Sequence, residues 1–145
     1  MNPFKNLSVK ENEALIKFPA YISLLAANSD GIMDEAEKKS AIGFAHARAL
    51  SRHPLLAEFY LEVDKVFTNN LEQLDKELPI EKDRRDAIIK KKLIQLEKIV
   101  LKLEKEYSLT MNRSLKSFKE NVFKVDHNVL VDFLIPLPIP GLTVS

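Results

Sequence analysis

The sequence contains no cysteine, and only three of its 145 residues are glycine. Without cysteine the chain can form neither disulfide bonds nor thiolate metal sites, and this absence fits a reducing compartment. So few glycines disfavour a β-rich fold, which needs more turn residues. No apolar run approaches the roughly 18 residues of a membrane span, and the N-terminus lacks the apolar core of a secretory signal. We therefore expect a cytoplasmic protein that does not span a membrane.

The motifs of common enzyme classes are missing as well. The sequence has no Gly-x-Ser-x-Gly elbow and no glycine-rich phosphate loop. Its three histidines, His46, His53 and His127, form no His-x-x-x-His pair on one helix face. A hydrolytic zinc site would need three ligands and a general base, which this spacing does not offer. The sequence therefore predicts a protein that is not an enzyme and has no catalytic residues.

What is present points to one globular domain. Hydrophobic residues make up 46% of the chain and charged residues 30%, which is the balance of a folded protein. The length is that of one ordinary domain, and no linker or low-complexity segment divides residues 1–145. The formal net charge of +1 is too small by itself to imply a nucleic-acid partner.

Apolar residues recur at spacings of three and four along most of the chain, which predicts an all-α bundle of about seven helices. Ser8 with Glu11, and Asp34 with Glu37, form capping boxes that mark two helix starts. Pro19 either kinks the first helix or lies in the first turn of a second one, from about residue 19 to 28. The longest stripe, which Pro79 ends, contains Leu56, Phe59, Tyr60, Val63, Phe67, Leu71, Leu74 and Leu78. The next helix carries Ile89, Leu93, Leu96, Val100, Leu103 and Tyr107, a sixth carries Met111, Leu115, Phe118, Val122 and Val125, and a short seventh is expected over about residues 127–134.

The segment 135–145 differs in kind, because proline alternates with large apolar residues in the order Ile-Pro-Leu-Pro-Ile-Pro. Such alternation prevents a helix and favours an extended, polyproline-like path. The apolar strip from Phe133 to Leu142 would form an exposed patch if nothing covered it. Two arrangements stay open: the tail packs on its own bundle, or it contacts a partner protein. A tail exchanged between two copies would make a homodimer.

Four carboxylates fall within eight residues where a loop enters a helix, at Asp30, Asp34, Glu35 and Glu37. Gly31 permits a turn there because it takes positive φ without steric cost. Hard divalent cations such as calcium or magnesium want several oxygen ligands, which a turn of this kind can bring together. Acidic residues at a helix start are also favoured by the exposed N–H groups and the helix dipole. The residues alone leave both interpretations open, a cation site and helix capping.

The run from Leu24 to Glu37, LLAANSDGIMDEAE, resembles the TerB-like domain of tellurite-resistance proteins and of a membrane-anchored DnaJ-type co-chaperone. The family pattern is an alanine-rich apolar helix, an Asp-Gly turn, an apolar residue two after the glycine and a glutamate six after it. Asp30, Gly31, Met33 and Glu37 stand at those positions. The family fold is an all-helical bundle of about seven helices, in agreement with the apolar spacing.

What the resemblance implies is binding of a divalent cation by the acidic residues, and a role in tellurite or chemical-stress response with protein partners near membranes. The chain departs from the family in one respect. Many members repeat the Asp-Gly turn in a second helix pair, whereas residues 104–110 here are Glu-Lys-Glu-Tyr-Ser-Leu-Thr. An alternative is a structural interaction domain with no metal site, in which Asp30 and Glu37 only shape the turn and the apolar tail contacts another protein.

A basic block is the last candidate site. Residues 81–92 carry six basic and three acidic side chains and no aromatic residue. Nucleic-acid binding would favour an uninterrupted basic face with aromatic residues for stacking. The interleaved acids instead favour a solvated helix face with exposed ion pairs. We therefore expect no nucleic-acid partner.

Overall fold

The computed structural model describes residues 5–27, 33–51 and 53–126, and of residues 124–126 it describes the backbone only. Six α-helices lie in these ranges, and no β-strand does. In chain order they are α1 (Val9–Ile16), α2 (Phe18–Leu25), α3 (Glu35–Leu50), α4 (Ala57–Glu77), α5 (Lys82–Val100) and α6 (Lys105–Asp126). The described part of the chain is all-α, which confirms the predicted fold class.

Local signals set the first two helices. The hydroxyl of Ser8 accepts a hydrogen bond from the amide of Glu11 at 3.1 Å, and the Glu11 carboxylate accepts one from the amide of Ser8 at 3.0 Å. This is the predicted capping box. Lys17 alone separates α1 from α2. Pro19 lies in the first turn of α2, where a helix has no partner for an N–H, so it starts this second helix.

Helix α2 forms the centre of the molecule. All eight of its residues are buried, and it contacts α1, α4, α5 and α6. Its Ser23 hydroxyl donates to the carbonyl oxygen of Pro19 at 2.9 Å, so this polar group is paired within the core. A helix that is apolar on every side is stable only where other helices cover it.

The other five helices surround α2. Helix α4 packs on α1 and α3, α6 packs on α3 and α5, and α5 packs on α1, which completes the circuit. The buried positions of α3 are Ala41, Ala45 and Ala49, whose small side chains let neighbouring helices approach closely. Between α4 and α6 the rings of Phe67 and Phe118 meet edge to face, with centroids 6.5 Å apart.

Helix α4 follows the predicted apolar stripe. Each of the eight predicted positions is at most 9% exposed. The C-cap of the helix is Leu78, and Pro79 follows it, which confirms the predicted stop.

The predicted boundary between the next two helices is wrong. The apolar rhythm assigns Leu103 and Tyr107 to α5, but α5 ends at Val100 and α6 begins at Lys105. Ser108 explains the junction, because its hydroxyl donates to the carbonyl oxygens of Val100 and Leu103 at 2.7 and 3.0 Å. Leu103 lies in the connection between α5 and α6 and is only 4% exposed. It therefore continues the spacing of buried apolar residues of α5, although it is not part of a helix.

Two predicted elements lie outside the described residues, the short helix over about residues 127–134 and the extended tail 135–145. The seventh helix therefore stays a prediction. No helix in the described ranges is both long and apolar enough to cross a membrane.

Candidate functional site

The start of α3 holds three of the four predicted cation ligands. Met33, just before the helix, is buried at 4% exposure. Asp34 is the N-cap: its Oδ1 accepts from the amide of Glu37 at 2.7 Å, and Oε1 of Glu37 accepts from the amide of Asp34 at 2.9 Å. This reciprocal pair is the capping box predicted from the sequence, and it brings two carboxylates together at the helix N-terminus.

Glu35 does not join this pair. Its side chain is 96% exposed, and one of its oxygens lies 4.0 Å from the ammonium of Lys38. Asp30 and Gly31 lie outside the described residues. Among the residues that the structure describes, no group of three or more His, Asp or Glu side chains could hold a metal ion. The structure thus brings Asp34 and Glu37 together, leaves Glu35 apart and does not test Asp30.

A small cavity of about 20 Å³ lies beside Glu37. Its lining consists of Ser23, Ala26, Ala27, Met33, Glu37, Ser40, Ala41 and Val122. This volume is enough for one water molecule or one small ion. Two serines and one carboxylate make the lining partly polar, so the space under the start of α3 is suited to a hydrated occupant.

Arg85 is a buried charge within the basic block for which the sequence predicts a solvated helix face. It is 2% exposed. Its Nη1 donates to the carbonyl oxygens of Asp75 and Pro79 at 3.2 and 3.3 Å, and its Nη2 bonds the Asp75 carboxylate. Lys38 of α3 lies 3.7 Å from the same carboxylate. The prediction of a wholly solvated basic block is therefore wrong at Arg85, which ties the end of α4 to α5.

The sequence held a signal for this burial. Arg85 stands four residues before Ile89 and so extends the buried stripe of α5 towards its N-terminus. A basic residue on an apolar stripe needs hydrogen-bond acceptors to be stable there. The carbonyl of Asp75 in the last turn of α4 and that of Pro79 just after the helix supply them, since carbonyls at a helix C-terminus have no partner within the helix. Arg85 is thus a structural residue and not a ligand candidate.

A groove between α1 and α4, with a volume of about 730 Å³, was not predicted. We call it the α1–α4 groove, and it is lined by Asn12, Glu13, Leu15, Ile16, Lys17, Glu58, Phe59, Leu61, Glu62, Lys65, Val66 and Asn70. Leu15 and Phe59, each 1% exposed, form its floor. Leu61 and Val66 remain 48% and 37% exposed. Leu61 and Val66 are apolar residues of α4 that lie outside its buried stripe. Their presence in the sequence is the signal that could have predicted a second apolar surface on this helix.

The rim of the α1–α4 groove is acidic on balance. Glu13, Glu58 and Glu62 line it, against Lys17 and Lys65. The ammonium of Lys65 lies 3.1 Å from Oε1 of Glu62, so these two charges offset each other and leave Glu13 and Glu58 against Lys17. A basic group brought to the rim would therefore meet favourable charge.

Glu97 of α5 has a perturbed pKa but lies at neither of these sites. Burial raises the pKa of Glu97 to about 7, and the positive charge of Lys119 on α6 opposes this rise. Lys119 is itself buried at 6% exposure. Neither the α1–α4 groove nor the small cavity includes Glu97 in its lining. We therefore treat this carboxyl as a determinant of stability.

The two described histidines connect α3 with α4. His46 Nδ1 lies 2.9 Å from Oδ2 of Asp64, at the surface. His53 lies between the two helices, and its Nδ1 accepts from the amide of Leu55 at 3.1 Å. His127 lies outside the described residues. His53 therefore lies at the junction between α3 and α4.

No protein-family model, curated protein or solved structure matches this chain. The likeness to the TerB-like family therefore stays a prediction that rests on the residues from Leu24 to Glu37. The described helices share its all-helical character, but a fold class of this kind serves many unrelated functions.

Proposed function

We propose that this chain is a non-enzymatic, cytoplasmic interaction module that binds a helical segment of a partner protein in the α1–α4 groove. The observation that carries the proposal is the apolar groove itself. Leu61 and Val66 stay 48% and 37% exposed beside a floor of buried core residues. Apolar side chains gathered in a concave surface mark binding sites in soluble proteins.

The length and charge of the groove define the partner. Helix α4 lines it from Glu58 to Asn70, which is about 20 Å, or about four turns, of helix. A helix that lies in a groove presents apolar residues along one face. The acidic rim adds a preference for basic residues beside that face. The partner segment is thus a short amphipathic helix with basic flanks.

Fluorescence anisotropy with a labelled peptide tests this proposal. The peptide has about 16 residues, with leucines at helical spacing and lysines between them. We expect a dissociation constant on the order of 10 µM. A peptide of the same composition in scrambled order should bind at least about tenfold more weakly, because its leucines no longer share one face.

The groove variant, Leu61→Gln with Val66→Gln, should weaken binding by about tenfold, because the apolar contacts are lost. Its matched control is Leu50→Gln with Ile80→Gln, at two apolar residues that are 66% and 69% exposed away from the groove. Equal affinities for the two variants, or for the ordered and scrambled peptides, would contradict the proposal.

A second candidate function is binding of a divalent cation, such as calcium or magnesium, at the turn before α3. The TerB-like resemblance motivates it, together with a role in tellurite or chemical-stress response through protein partners. Two observations support it. The capping box brings the carboxylates of Asp34 and Glu37 together at the start of α3, and the cavity of about 20 Å³ lies beside Glu37. Asp30 would add a ligand from the preceding turn.

Titration calorimetry with calcium, magnesium, manganese and zinc tests this second candidate. Heat of binding should disappear in the double variant Asp30→Asn, Glu37→Gln, which removes two charges from the ligand set. The control, Glu104→Gln with Glu106→Gln, makes the same change at the acidic start of α6. Absence of heat for every ion at millimolar concentration, or heat that persists in the first variant, would rule out this site.

A further inference from the structure

The outward face of α5 and its C-cap carries basic and apolar side chains in alternation. At successive spacings of three and four, the exposed residues are Arg84, Ala87, Lys91, Ile94, Lys98 and Leu101. We call these six residues the outer stripe. Ile94 and Leu101 are 54% and 39% exposed. Such heptad spacing is the one with which one helix packs along another. The outer stripe is separate from the stripe that α5 buries in its own bundle.

Charge distinguishes the outer stripe from the α1–α4 groove. Residues 82–102 contain eight Lys and Arg against three Asp and Glu, although the whole chain has a net charge of only +1. Helix α4, which lines the groove, contains six Asp and Glu against two Lys. Within the described residues no ion pair is recorded for Arg84, Lys91 or Lys98. The chain therefore carries one helix rich in basic residues and one helix rich in acidic residues.

The outer stripe matches what the α1–α4 groove requires of an occupant. From Arg84 to Leu101 it spans about 25 Å, which covers the groove of about 20 Å along α4. Its apolar residues can meet Leu61 and Val66, while its basic residues meet the acidic rim. Length, exposed apolar residues and charge thus agree for the two surfaces.

We propose that the occupant of the α1–α4 groove is the outer stripe of a second copy of this chain. This inference rests on the proposed function, because it names the partner of the same groove. Groove and stripe are different surfaces, so the contact is heterologous, and each copy offers a groove to one neighbour and a stripe to another. Repetition of the contact builds a linear chain of copies or a closed ring.

An anionic membrane is another surface that a basic, partly apolar helix face can meet. Helices that lie in a membrane interface insert aromatic and leucine side chains from a broad apolar face. The outer stripe contains no aromatic residue, and its apolar residues alternate singly with charged ones. These features favour a groove in a protein over a membrane.

Sedimentation velocity of the full chain at increasing concentration tests the proposal. We expect reversible association with a dissociation constant on the order of 10 µM, weaker at high salt because charges are screened. The groove variant and the stripe variant, Lys91→Glu with Lys98→Glu, should each weaken association by at least about tenfold. An equimolar mixture of the two should form a 1:1 dimer that grows no further, because it pairs one intact groove with one intact stripe.

A matched control separates this contact from a general effect of charge. Lys39→Glu with Lys105→Glu makes the same charge change at exposed positions of α3 and α6. This variant should associate like the wild type. Circular dichroism should give wild-type helix content for all variants, since every substituted side chain is at least partly exposed.

Several results would overturn the inference. One is a wild type that stays monomeric up to roughly 0.5 mM. Another is association that persists in both the groove variant and the stripe variant, which is the result expected if residues 127–145 held a dimer together. A monomeric wild type that still binds the ordered peptide would overturn this inference and leave the proposed function standing. Binding of that monomer to phosphatidylserine vesicles, lost in the stripe variant, would assign the outer stripe to membranes instead.

Discussion

Arg85 and Glu97 are charged residues near opposite ends of α5, and the first is buried whereas the second is half-buried. Arg85 is 2% exposed, and its guanidinium bonds two backbone carbonyls and the Asp75 carboxylate. Glu97 has the positive charge of Lys119 nearby, yet burial still raises its pKa to about 7. The difference predicts that direct hydrogen bonds compensate the burial of a charge in this helix better than an opposite charge in the neighbourhood does.

Arg85→Met should give the largest effect, because it tests the better-bonded charge. The substitution keeps most of the side-chain volume but removes every donor. Two carbonyls then lose their hydrogen-bond donor, and the Asp75 carboxylate keeps only Lys38, 3.7 Å away, as a cationic neighbour. We expect the free energy of unfolding to fall by about 3 kcal/mol in urea denaturation. Arg84→Met, at the exposed neighbouring position, should change it little. Equal losses for the two variants would mean that the bonds of Arg85 contribute nothing.

Glu97→Gln should act in the opposite direction. The folded pKa of about 7 lies above the ordinary 4.5, so the stability that proton binding contributes is complete below pH 4.5 and is lost as the pH rises through 7. Glutamine cannot ionise, so the variant should lack this loss. We expect it to be more stable than the wild type by about 1 kcal/mol at pH 8, a value discounted because solvent screens a half-buried group.

Thermal and urea unfolding between pH 4 and pH 8 measure this difference. The matched control, Glu72→Gln, makes the same chemical change at an exposed position of α4 and should follow the wild-type profile. Parallel profiles for the Glu97→Gln variant and the wild type would show that burial of Glu97 does not affect folding.

Asp34→Ala extends the comparison to a carboxylate that accepts a hydrogen bond from a backbone amide at a helix end. Loss of the cap should lower the free energy of unfolding by about 1 kcal/mol. Ser8→Ala, in the capping box of α1, should cost about the same. If adding millimolar calcium enlarges only the loss at Asp34, the turn before α3 has a role beyond capping.

Breaking the exposed pair of Lys82 and Asp86 should have the smallest effect. Nζ of Lys82 lies 2.7 Å from Oδ2 of Asp86, but the two side chains are 41% and 22% exposed. Water therefore competes with the pair, and a double-mutant cycle with alanine should give a coupling of about 0.5 kcal/mol or less. A coupling comparable with the effect at Arg85 would mean that burial is not what separates these charges.

Features that depend on residues a few positions apart were predictable from the sequence. The capping boxes at Ser8 and Asp34 and the helix stop at Pro79 need only local contacts, and all three are present. The pairing of Asp34 with Glu37 within the candidate site was predictable for the same reason, because the two residues are three positions apart. The stripe of α4 was predictable for a related reason, since a long helical period leaves little choice of buried face.

Features that depend on how helices meet were not predictable. The burial of Arg85 requires the C-terminal end of α4, with the carbonyls of Asp75 and Pro79, to lie beside it. The α1–α4 groove requires those two helices to be neighbours. Periodicity identifies a buried face but does not say which helix covers it. Periodicity also does not locate the end of a helix. Leu103 is buried in the short connection after α5, and it continues the apolar spacing of that helix. The set of four ligands stays a prediction, since Asp30 lies outside the described residues.

The position of α2 has a consequence for how the protein folds. A helix of eight residues is too short to persist alone in water, so α2 forms only as its four neighbouring helices assemble around it. Departure of those neighbours would in turn expose a segment that has no charged residue. Folding should therefore be cooperative, with no stable intermediate that keeps the centre intact. Backbone amides of α2 would then exchange with solvent only through global unfolding, which makes them reporters of the stability of the whole bundle.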